Sequence, residues 1–368
     1  MKFKTYTMED ALEVIIDYRG KTPKKSDSGI PTLSAKSVKN NHIDYSLCYY
    51  ISADEYKHFM VRGFPKIGDV LLTTEATMGM VARLDRDNVG IAQRLLTLRG
   101  KKDVLDNEYL LYFLQSSIGQ SLLKVRETGT TVTGIKQAEF RKIQINIPEI
   151  SVQKKIGGIL RSLDKKIEIN SKINENLEQQ AQALYQRYFV TKADSDWPIG
   201  HLADLIDVKY GKDHKKLADG IYPVYGSGGI MRYVERPLYE KESVLIPRKG
   251  TLNNVIYVNQ PFWSVDTMFY TEMKQSNVAK FVYHFMKSKD LASMNAGSAV
   301  PSMTTSILNA MELRIPSPET LESFESSVAP MYEMMQGNET QSHKLAELRD
   351  TLLPKLMSGQ LDISKVQF

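Results

Sequence analysis

The sequence predicts an α/β (α+β) fold class in which two similar globular units are separated by long helices that form an antiparallel coiled coil. Three features lead to this prediction: an internal repeat, alternating apolar residues near the end of each copy, and a heptad pattern after each copy. These features divide the chain into four parts. We expect a first globular unit at residues 1–147, a first spacer helix at 148–189, a second globular unit at 190–315, and a second spacer helix with a tail at 316–368.

The repeat is clearest at the end of each globular unit. Residues 128–148 and 296–316 align without a gap, and both segments have a glycine at their second position and a proline at their last. The alternating apolar residues before each proline predict a strand. Looser matches, which need gaps, extend the repeat toward the start of each unit: residues 12–25 with 202–216, 29–31 with 220–223, and 70–74 with 244–248.

A heptad seam follows each proline, which predicts two long helices that pack together. The first seam consists of Ile156, Leu160, Leu163, Ile167, Asn170, Leu177 and Leu184; the second contains Phe324, Val328, Met331, Asn338, Leu345 and Leu352. A helix over residues 151–189 would be about 58 Å long at about 1.5 Å per residue. Antiparallel packing would relate the globular units by a pseudo-two-fold axis and hold them at a set distance, as in dimeric DNA readers.

Polar residues interrupt both seams. Asn170 and Asn338 occupy corresponding places, and a buried asparagine there fixes helix register at some cost in stability. The alternative is that Gly337 and Asn338 mark a turn that breaks the second helix. Arg349 also interrupts the second seam, and we expect the neighbouring Leu348 to take its place.

Composition restricts the class of protein. The net charge of +5 permits nucleic acid as a partner without requiring it. The single cysteine, Cys48, excludes a disulfide framework and a cysteine-rich zinc site. The first ten residues lack the apolar core of a signal peptide, and no apolar run approaches the roughly 20 residues of a membrane span. We therefore expect a cytoplasmic protein.

The whole chain resembles the specificity subunits of type I restriction-modification enzymes. The resemblance depends most on LRDTLLPKLMSG at residues 348–359, on LEQQAQAL at 177–184, and on the two glycine-to-proline segments. It implies that each globular unit is a target recognition domain for one half of a bipartite site in double-stranded DNA. It also implies two modification subunits that methylate adenine with S-adenosylmethionine, and two restriction subunits with motor and nuclease activity in the complete complex. The resemblance further implies a role in defence against foreign DNA, with no cofactor in this chain and Mg and ATP on the partners.

Motifs for catalysis are weak. An adenine methyltransferase needs an (Asn/Asp)-Pro-Pro-aromatic site, and the nearest string, NQPFW at residues 259–263, has Gln260 in place of a proline. The glycines at 226–229 lack the lysine of a phosphate-binding loop. Two loose nuclease-like patterns contain Asp266, Glu272 and Lys274, or Asp44, Glu55 and Lys57, and the six histidines have no ligand spacing. We expect no catalytic residue and no metal site.

Two basic segments in corresponding places are the candidates for phosphate contacts, which supply most of the affinity for DNA. They contain Arg19, Lys21, Lys24 and Lys25 in the first unit, and Lys209, Lys212, His214, Lys215 and Lys216 in the second. The loops with Thr130 and Ser298 offer hydroxyls and backbone donors, which suit a phosphate or a plain tight turn. The alternative for the lysines is an ordinary solvated turn.

Candidates for reading bases are positions that correspond between the copies but differ in chemistry, because two heads that read different half-sites must diverge where they read. Ser34 and Lys36 compare with Tyr225 and Ser227, and Thr73, Thr74 and Glu75 compare with Arg248 and Lys249; Arg94 is added for its charge near a strand edge. Arg248 has the donors to bind guanine O6 and N7, and Glu75 can accept from cytosine N4.

Two other functions remain open from the residues alone. In the first, the coiled coil is an assembly scaffold and the globular units bind proteins, so that the chain shows no salt-dependent DNA binding. In the second, the chain is a metal-dependent nuclease that uses one of the carboxylate–lysine patterns.

Overall fold

The computed structural model describes residues 2–18, 20–75, 77–129, 133–294 and 302–364. The chain forms two compact units, the first from Met1–Ser171 and Glu339–Phe368, the second from Lys172–Asn338. Both units combine sheets with helices, and the two long helices contribute residues to each unit. The predicted mixture of two α/β units and long helices is therefore confirmed.

The elements of the first unit come mainly from the first half of the chain. Its strands are β1 (Phe3–Thr7), β2 (Leu12–Asp17), β3 (Ile30–Leu33), β4 (Val38–Lys39), β5 (His42–Ile43), β6 (Tyr49–Ile51), β7 (Val70–Thr73), β8 (Val81–Arg83), β9 (Gly90–Ile91), β10 (Leu95–Gly100) and β11 (Gln144–Pro148). Its helices are α1 (Met8–Ala11), α2 (Ala53–Phe59), α3 (Asn107–Gln115), α4 (Ser117–Val125), α5 (Gln137–Arg141) and the start of α6 (Ile150–Gln186), with 3₁₀ turns at Ala35–Ser37 and Tyr45–Leu47.

The second unit repeats this plan. A π-helical turn at Arg187–Thr191 follows α6. The strands are β12 (Ile199–His201), β13 (Ile206–Tyr210), β14 (Asp219–Gly226), β15 (Gly229–Val234), β16 (Ser243–Pro247), β17 (Ile256–Val258), β18 (Trp263–Ser264), β19 (Met268–Met273) and β20 (Glu312–Arg314). The helices are α7 (Leu202–Leu205), α8 (Ala279–Lys287), α9 (Thr305–Asn309) and α10 (Pro318–Met357), whose C-terminal part belongs to the first unit.

The two units share one sheet topology. A four-stranded antiparallel sheet has the order β2-β10-β7-β8 in the first unit and β13-β19-β16-β17 in the second. A three-stranded sheet, β6-β3-β9 or β15-β14-β18, has one antiparallel and one parallel pair in each unit. A two-stranded ribbon, β1-β11 or β12-β20, ends just before the long helix. The repeat in the sequence is therefore a repeat of structure.

Alternate residues of the central strands face opposite cores. Val70 and Leu72 of β7 belong to the core that packs against α3 and α6, whereas Leu71 belongs to the core shared with the three-stranded sheet. In β16, Ile246 faces the helix side and Leu245 the opposite side. Because both faces of the sheet are covered, these strands are continuously apolar instead of alternating with polar residues.

Within each unit, α6 and α10 pair in opposite directions. In the first unit, Asn170 Nδ2 donates to Ser342 Oγ at 3.1 Å, and Arg349 Nη1 donates to Asp164 Oδ1 at 2.7 Å. From Asn170 back to Asp164 along α6, the hydrogen-bond partner on α10 advances from Ser342 to Arg349, so the two helices are antiparallel. In the second unit, Asn338 Nδ2 donates to the side-chain oxygen of Asn174 at 2.8 Å.

For the second seam, the alternative of a broken helix and the expected role of Leu348 are both wrong. Helix α10 continues through Gly337 and Asn338, so these residues do not mark a turn. Leu348 is 47% exposed and does not replace Arg349, whose side chain lies in the seam and is only 20% exposed. The reason is that Asp164 on α6 is buried opposite Arg349 and forms an ion pair with it.

Burial along the predicted seams differs from residue to residue. Ile156, Leu160, Asn170, Phe324 and Val328 are buried. Leu163, Ile167, Leu177, Leu184, Met331, Asn338, Leu345 and Leu352 are half-buried. Globular residues cover part of each helix pair, so the buried stripe is wider than a two-stranded coiled-coil seam and also includes Asp164, Tyr185 and Tyr332.

His284 of α8 is fully buried between the helices of the second unit. Its Nδ1 lies 2.8 Å from Gln182 Oε1, and its Nε2 lies 2.9 Å from the Tyr332 hydroxyl. Burial lowers the pKa of His284 to about 4, and the nearby positive charge of Lys287 adds to this effect. The imidazole is therefore neutral at pH 7.

This buried histidine predicts a loss of stability in mild acid. Because the unfolded chain binds a proton near pH 6.5 and the folded chain only near pH 4, the free energy of unfolding should fall by about 2 kcal/mol between pH 7.5 and about pH 5. Urea unfolding at both pH values measures this loss. His284→Gln should be less stable at pH 7.5 but should show a smaller loss on acidification; an equal loss in both proteins would contradict the assignment.

Candidate nucleic-acid interface

In the first unit, five segments meet where strands β2, β3 and β7 end and β10 begins. Ala92 N donates to Leu33 O at 2.8 Å, and Thr74 N donates to Arg94 O at 3.0 Å. The Gln93 side chain donates to Thr22 Oγ1 at 2.6 Å, which attaches the basic segment after β2. We call these segments the first loop cluster. It consists of residues 20–25, 33–36, 74–75, 77–79, 92–94, 128–129 and 133–135.

The second unit has the same arrangement. Lys212 N donates to Ser264 O at 2.8 Å, and the Asn254 side chain donates to Ser227 O at 2.8 Å. The Arg248 guanidinium lies over the Tyr210 ring at 5.3 Å, and its Nη1 donates to Asp266 O at 3.1 Å. We call residues 210–216, 225–228, 248–254, 264–267 and 302–303 the second loop cluster.

Three backbone hydrogen bonds are common to both clusters and align them residue by residue. Val265 N donates to Tyr225 O, Arg248 N to Thr267 O, and Met303 N to Arg248 O in the second cluster. The first cluster has the same bonds, from Ala92 to Leu33, from Thr74 to Arg94, and from Ile135 to Thr74. The backbone is therefore conserved between the units while the side chains on it differ.

The charges on two facing loops differ between the units. In the first cluster, Arg94 Nε lies 3.2 Å from Glu75 Oε2, with the acid after β7 and the base before β10. In the second cluster, Lys249 occupies the place of Glu75, and Thr267 that of Arg94. A surface with the same backbone and different charges suits two heads that read different sequences.

Backbone strain marks the same loops in the first cluster. Arg94 and Thr77 adopt positive φ angles of 67° and 107°, a region that is unfavourable for residues other than glycine. The Thr73 hydroxyl donates to Thr77 O at 2.6 Å and so holds the turn. Strained residues of this kind concentrate at binding sites, which supports a functional role for this turn.

Several predicted base readers point into the protein. Thr73 and Thr74 are 1% and 2% exposed, because the strand β7 that leads to them is covered on both faces. Tyr225 is 8% exposed and packs edge-on against Phe262 at 6.2 Å. The prediction that these three side chains read bases is therefore wrong.

The predicted alignment of Ser34 and Lys36 with Tyr225 and Ser227 is wrong by one residue. The shared hydrogen bonds place Leu33, not Ser34, opposite Tyr225. Ser34 is half-buried and precedes the 3₁₀ turn that contains Lys36, and Lys36 is exposed. Ser227 is half-buried at the turn between β14 and β15.

Most of the predicted cationic residues lie at the surface of the clusters. Lys21, Lys24, Lys25, Lys212, Lys215, Lys216 and Lys249 are exposed. Lys209 differs, because it lies within β13, where its Nζ is 3.5 Å from Glu272 and 3.7 Å from Asp207; the prediction that it belongs to the loop is wrong. His214 is half-buried. Arg19, Thr130 and Ser298 lie outside the described residues.

The candidates for DNA contact omitted three residues of the clusters, of which Asp266 was considered only in a nuclease-like pattern. Gln93, Asp266 and Thr267 lie in the short turns before β10 and β19, next to the predicted Arg94 and Arg248. Asp266 is exposed and Gln93 is half-buried. A polar pair just before an apolar strand in both copies, QR before LLTL and DT before MFYT, was the available signal.

The residues of the two nuclease-like patterns contact different partners and do not come together. Glu55 accepts from Lys24 N, and Asp44 accepts from Ser46 N. Lys274 lies 3.3 Å from Asp207 instead of joining Asp266. Among the described residues, no group of three or more His, Cys, Asp or Glu side chains is placed to hold a metal ion.

The NQPFW string at residues 259–263 and the glycine-rich loop at residues 226–229 both have structural roles. Phe262 is fully buried, and Trp263 is 7% exposed with its Nε1 donating to Lys212 O, so neither ring is available to stack on a base. The glycines that begin at Gly226 form the tight turn from β14 to β15. In the part of the chain that the structure describes, no helix is long and apolar enough to cross a membrane.

Comparison with known proteins gives the family. The profile of the type I restriction modification DNA specificity domain matches residues 2–179 and 194–322. This chain belongs to that family. Each matched stretch contains one complete loop cluster.

Relatives of the specificity domain family match most of the chain. The type I restriction enzyme MjaIX specificity subunit of Methanocaldococcus jannaschii is 25% identical over 393 residues, covering 92% of this chain and 88% of the relative. The HindI specificity subunit of Haemophilus influenzae is 21% identical and covers 75% of this chain and 82% of its own length. The crystal structure of an S subunit from M. genitalium has the same fold, with a TM-score of 0.65, 18% identity, and coverage of 97% and 96%.

The position of Arg248 predicts a defect limited to one half of the bound DNA. Arg248→Ala should reduce the preference for one base by about 1–3 kcal/mol, because the predicted bidentate contact to guanine would be lost. Competition binding with every single-base variant of the site measures this preference. Arg236→Ala, an exposed arginine outside the cluster, is the matched control. Equal weakening on all DNA sequences would show that Arg248 contacts a phosphate instead.

Proposed function

We propose that this chain is the DNA-specificity subunit of a type I restriction-modification enzyme and that each unit reads one half of a bipartite site. The observation that carries this proposal is the pair of loop clusters, which have the same backbone hydrogen bonds but different charged side chains. A duplicated frame with diverged contacts suits the reading of two unlike half-sites. Family membership and the exposed lysines beside each cluster support the same function.

In this proposal the chain binds DNA and docks the subunits that perform catalysis. Two modification subunits would supply S-adenosylmethionine and methylate an adenine in each half-site, and two restriction subunits would supply ATP- and Mg-dependent translocation and cleavage. The chain itself would hold no cofactor and no catalytic residue. Its own contribution is to select the sequence, through base contacts and DNA deformation, and to present the adenine for extrusion.

Salt dependence separates this function from a protein-binding scaffold. Replacing Lys212, Lys215 and Lys216 with alanine should reduce the slope of log affinity against log salt by about three, since each phosphate contact contributes about one. Titrations of a labelled duplex at several salt concentrations measure the slope. The chain is used together with its modification subunit.

The matched control replaces Lys154, Lys165 and Lys166, three exposed lysines of α6, and should leave the slope unchanged. Selection of bound fragments from a random pool completes the test. Two short defined blocks at one separation are expected. No enriched motif, together with no binding at low salt, would contradict the proposal and favour a scaffold, whereas metal-dependent cleavage by the purified chain alone would indicate a nuclease.

A further inference from the structure

We call the residues of each unit outside α6 and α10 its globular part. In the first unit, helix α3 of the globular part lies directly on α6. The buried Gln153 of α6 donates to Val104 O and accepts from Asp106 N, just before α3 begins. One turn later, a Cβ on Gly157 would lie 2.9 Å from Glu108 Cβ, so this position has no room for a side chain. The contact between α3 and α6 is therefore close and specific.

A single carboxylate joins α3 to both long helices. Asp164 of α6 is 5% exposed. Its Oδ2 accepts from the Tyr112 hydroxyl of α3 at 2.6 Å, and its Oδ1 accepts from Arg349 Nη1 of α10 at 2.7 Å. Burial and the adjacent negative charge of Asp164 raise the pKa of Tyr112, so its hydroxyl remains a donor.

In the second unit, the imidazole of His284 connects the short helix α8 to both long helices. His284 of α8 contacts Tyr332 of α10 and Gln182 of α6. Because the imidazole is neutral, it donates to the Gln182 oxygen through Nδ1 and accepts from the Tyr332 hydroxyl through Nε2. Lys280 of α8 adds an ion pair to Glu325 of α10 at 2.5 Å.

The two junctions occupy corresponding places in the repeat. Tyr112 and His284 hold the same position in their nine-residue helices α3 and α8. Asp164 and Tyr332 stand equally far from Pro148 and Pro316. The chemistry differs between the units, but in each unit a buried hydrogen bond at this place connects the nine-residue helix to the helix pair.

We propose that Tyr112 with Asp164, and His284 with Tyr332, are positioning residues that fix the orientation of each globular part on its own helices and thereby the separation of DNA half-sites that the protein accepts. This inference depends on the proposed function. Its physical basis is that rotation of α3 or α8 on the helices would break the buried hydrogen bond between Tyr112 and Asp164 or between His284 and Tyr332. Such a loss costs more than an apolar contact sliding by the same distance.

Tyr112→Phe tests the proposal, because it removes only the hydroxyl and leaves the Asp164–Arg349 ion pair in place. The protein, co-expressed with its modification subunit, is offered duplexes with both half-sites intact and separations that vary by single base pairs. The preference for the correct separation over one base pair more or less should fall about tenfold. Binding to the half-site bases themselves should not change.

Tyr109→Phe is the matched control on the same helix. Tyr109 is also fully buried, but its hydroxyl makes no hydrogen bond among the described residues, so the same change of chemistry removes no junction. Its preference for one separation should equal that of the wild type. Tyr332→Phe provides the equivalent test in the second unit should Tyr112→Phe fold poorly, as measured by thermal unfolding.

The outcomes separate the two proposals. Relaxed spacing with intact half-site bases in Tyr112→Phe or Tyr332→Phe, but not in Tyr109→Phe, supports the positioning role. Unchanged spacing in both folded junction variants, or equal relaxation in the control, overturns it. Absence of a two-block site in the wild type would instead refute the proposed function.

Discussion

The fold of each unit depends on the burial of both faces of a four-stranded sheet. One face is covered by α3 and α6 in the first unit, or by α8 and α10 in the second, and the opposite face by the three-stranded sheet. With both faces covered, polar side chains of the central strands β7 and β16 reach solvent at the strand ends and the connecting loops. The loop clusters lie at such ends, which explains why the charged and strained residues concentrate there.

Close packing of the loops lets a shared backbone present different side chains. In the second cluster, a Cβ on Gly211 would lie 2.0 Å from Val265 O and 2.5 Å from Ser264 O. This glycine allows the two segments to approach each other. The frame is held by backbone hydrogen bonds, so side chains such as Glu75 or Lys249 can differ between the units without disturbing it.

The long helices combine apolar packing with a few buried polar contacts. Apolar residues of α6 and α10 supply most of the buried area, but such contacts tolerate small shifts along the helix. Asn170 with Ser342, and Asn338 with Asn174, tolerate them less well, because a shift leaves a buried or half-buried amide without this partner. The junctions at Asp164 and His284 extend this constraint from the helix pair to the globular parts.

The sequence by itself determined the repeat, the central strands and the long helices, because each is a local periodic pattern that survives in any arrangement of the chain. It also indicated the basic segments after β2 and β13. Only the tertiary structure decided which polar residues near the strand ends face solvent: Thr73 and Thr74 are buried, whereas Glu75 and Arg94 pair at the surface. The ion pair of Asp164 with Arg349 was equally invisible, because residues far apart in the chain meet only when the helices pack. Side-chain burial depends on what covers a strand or helix, and that cover comes from distant parts of the sequence.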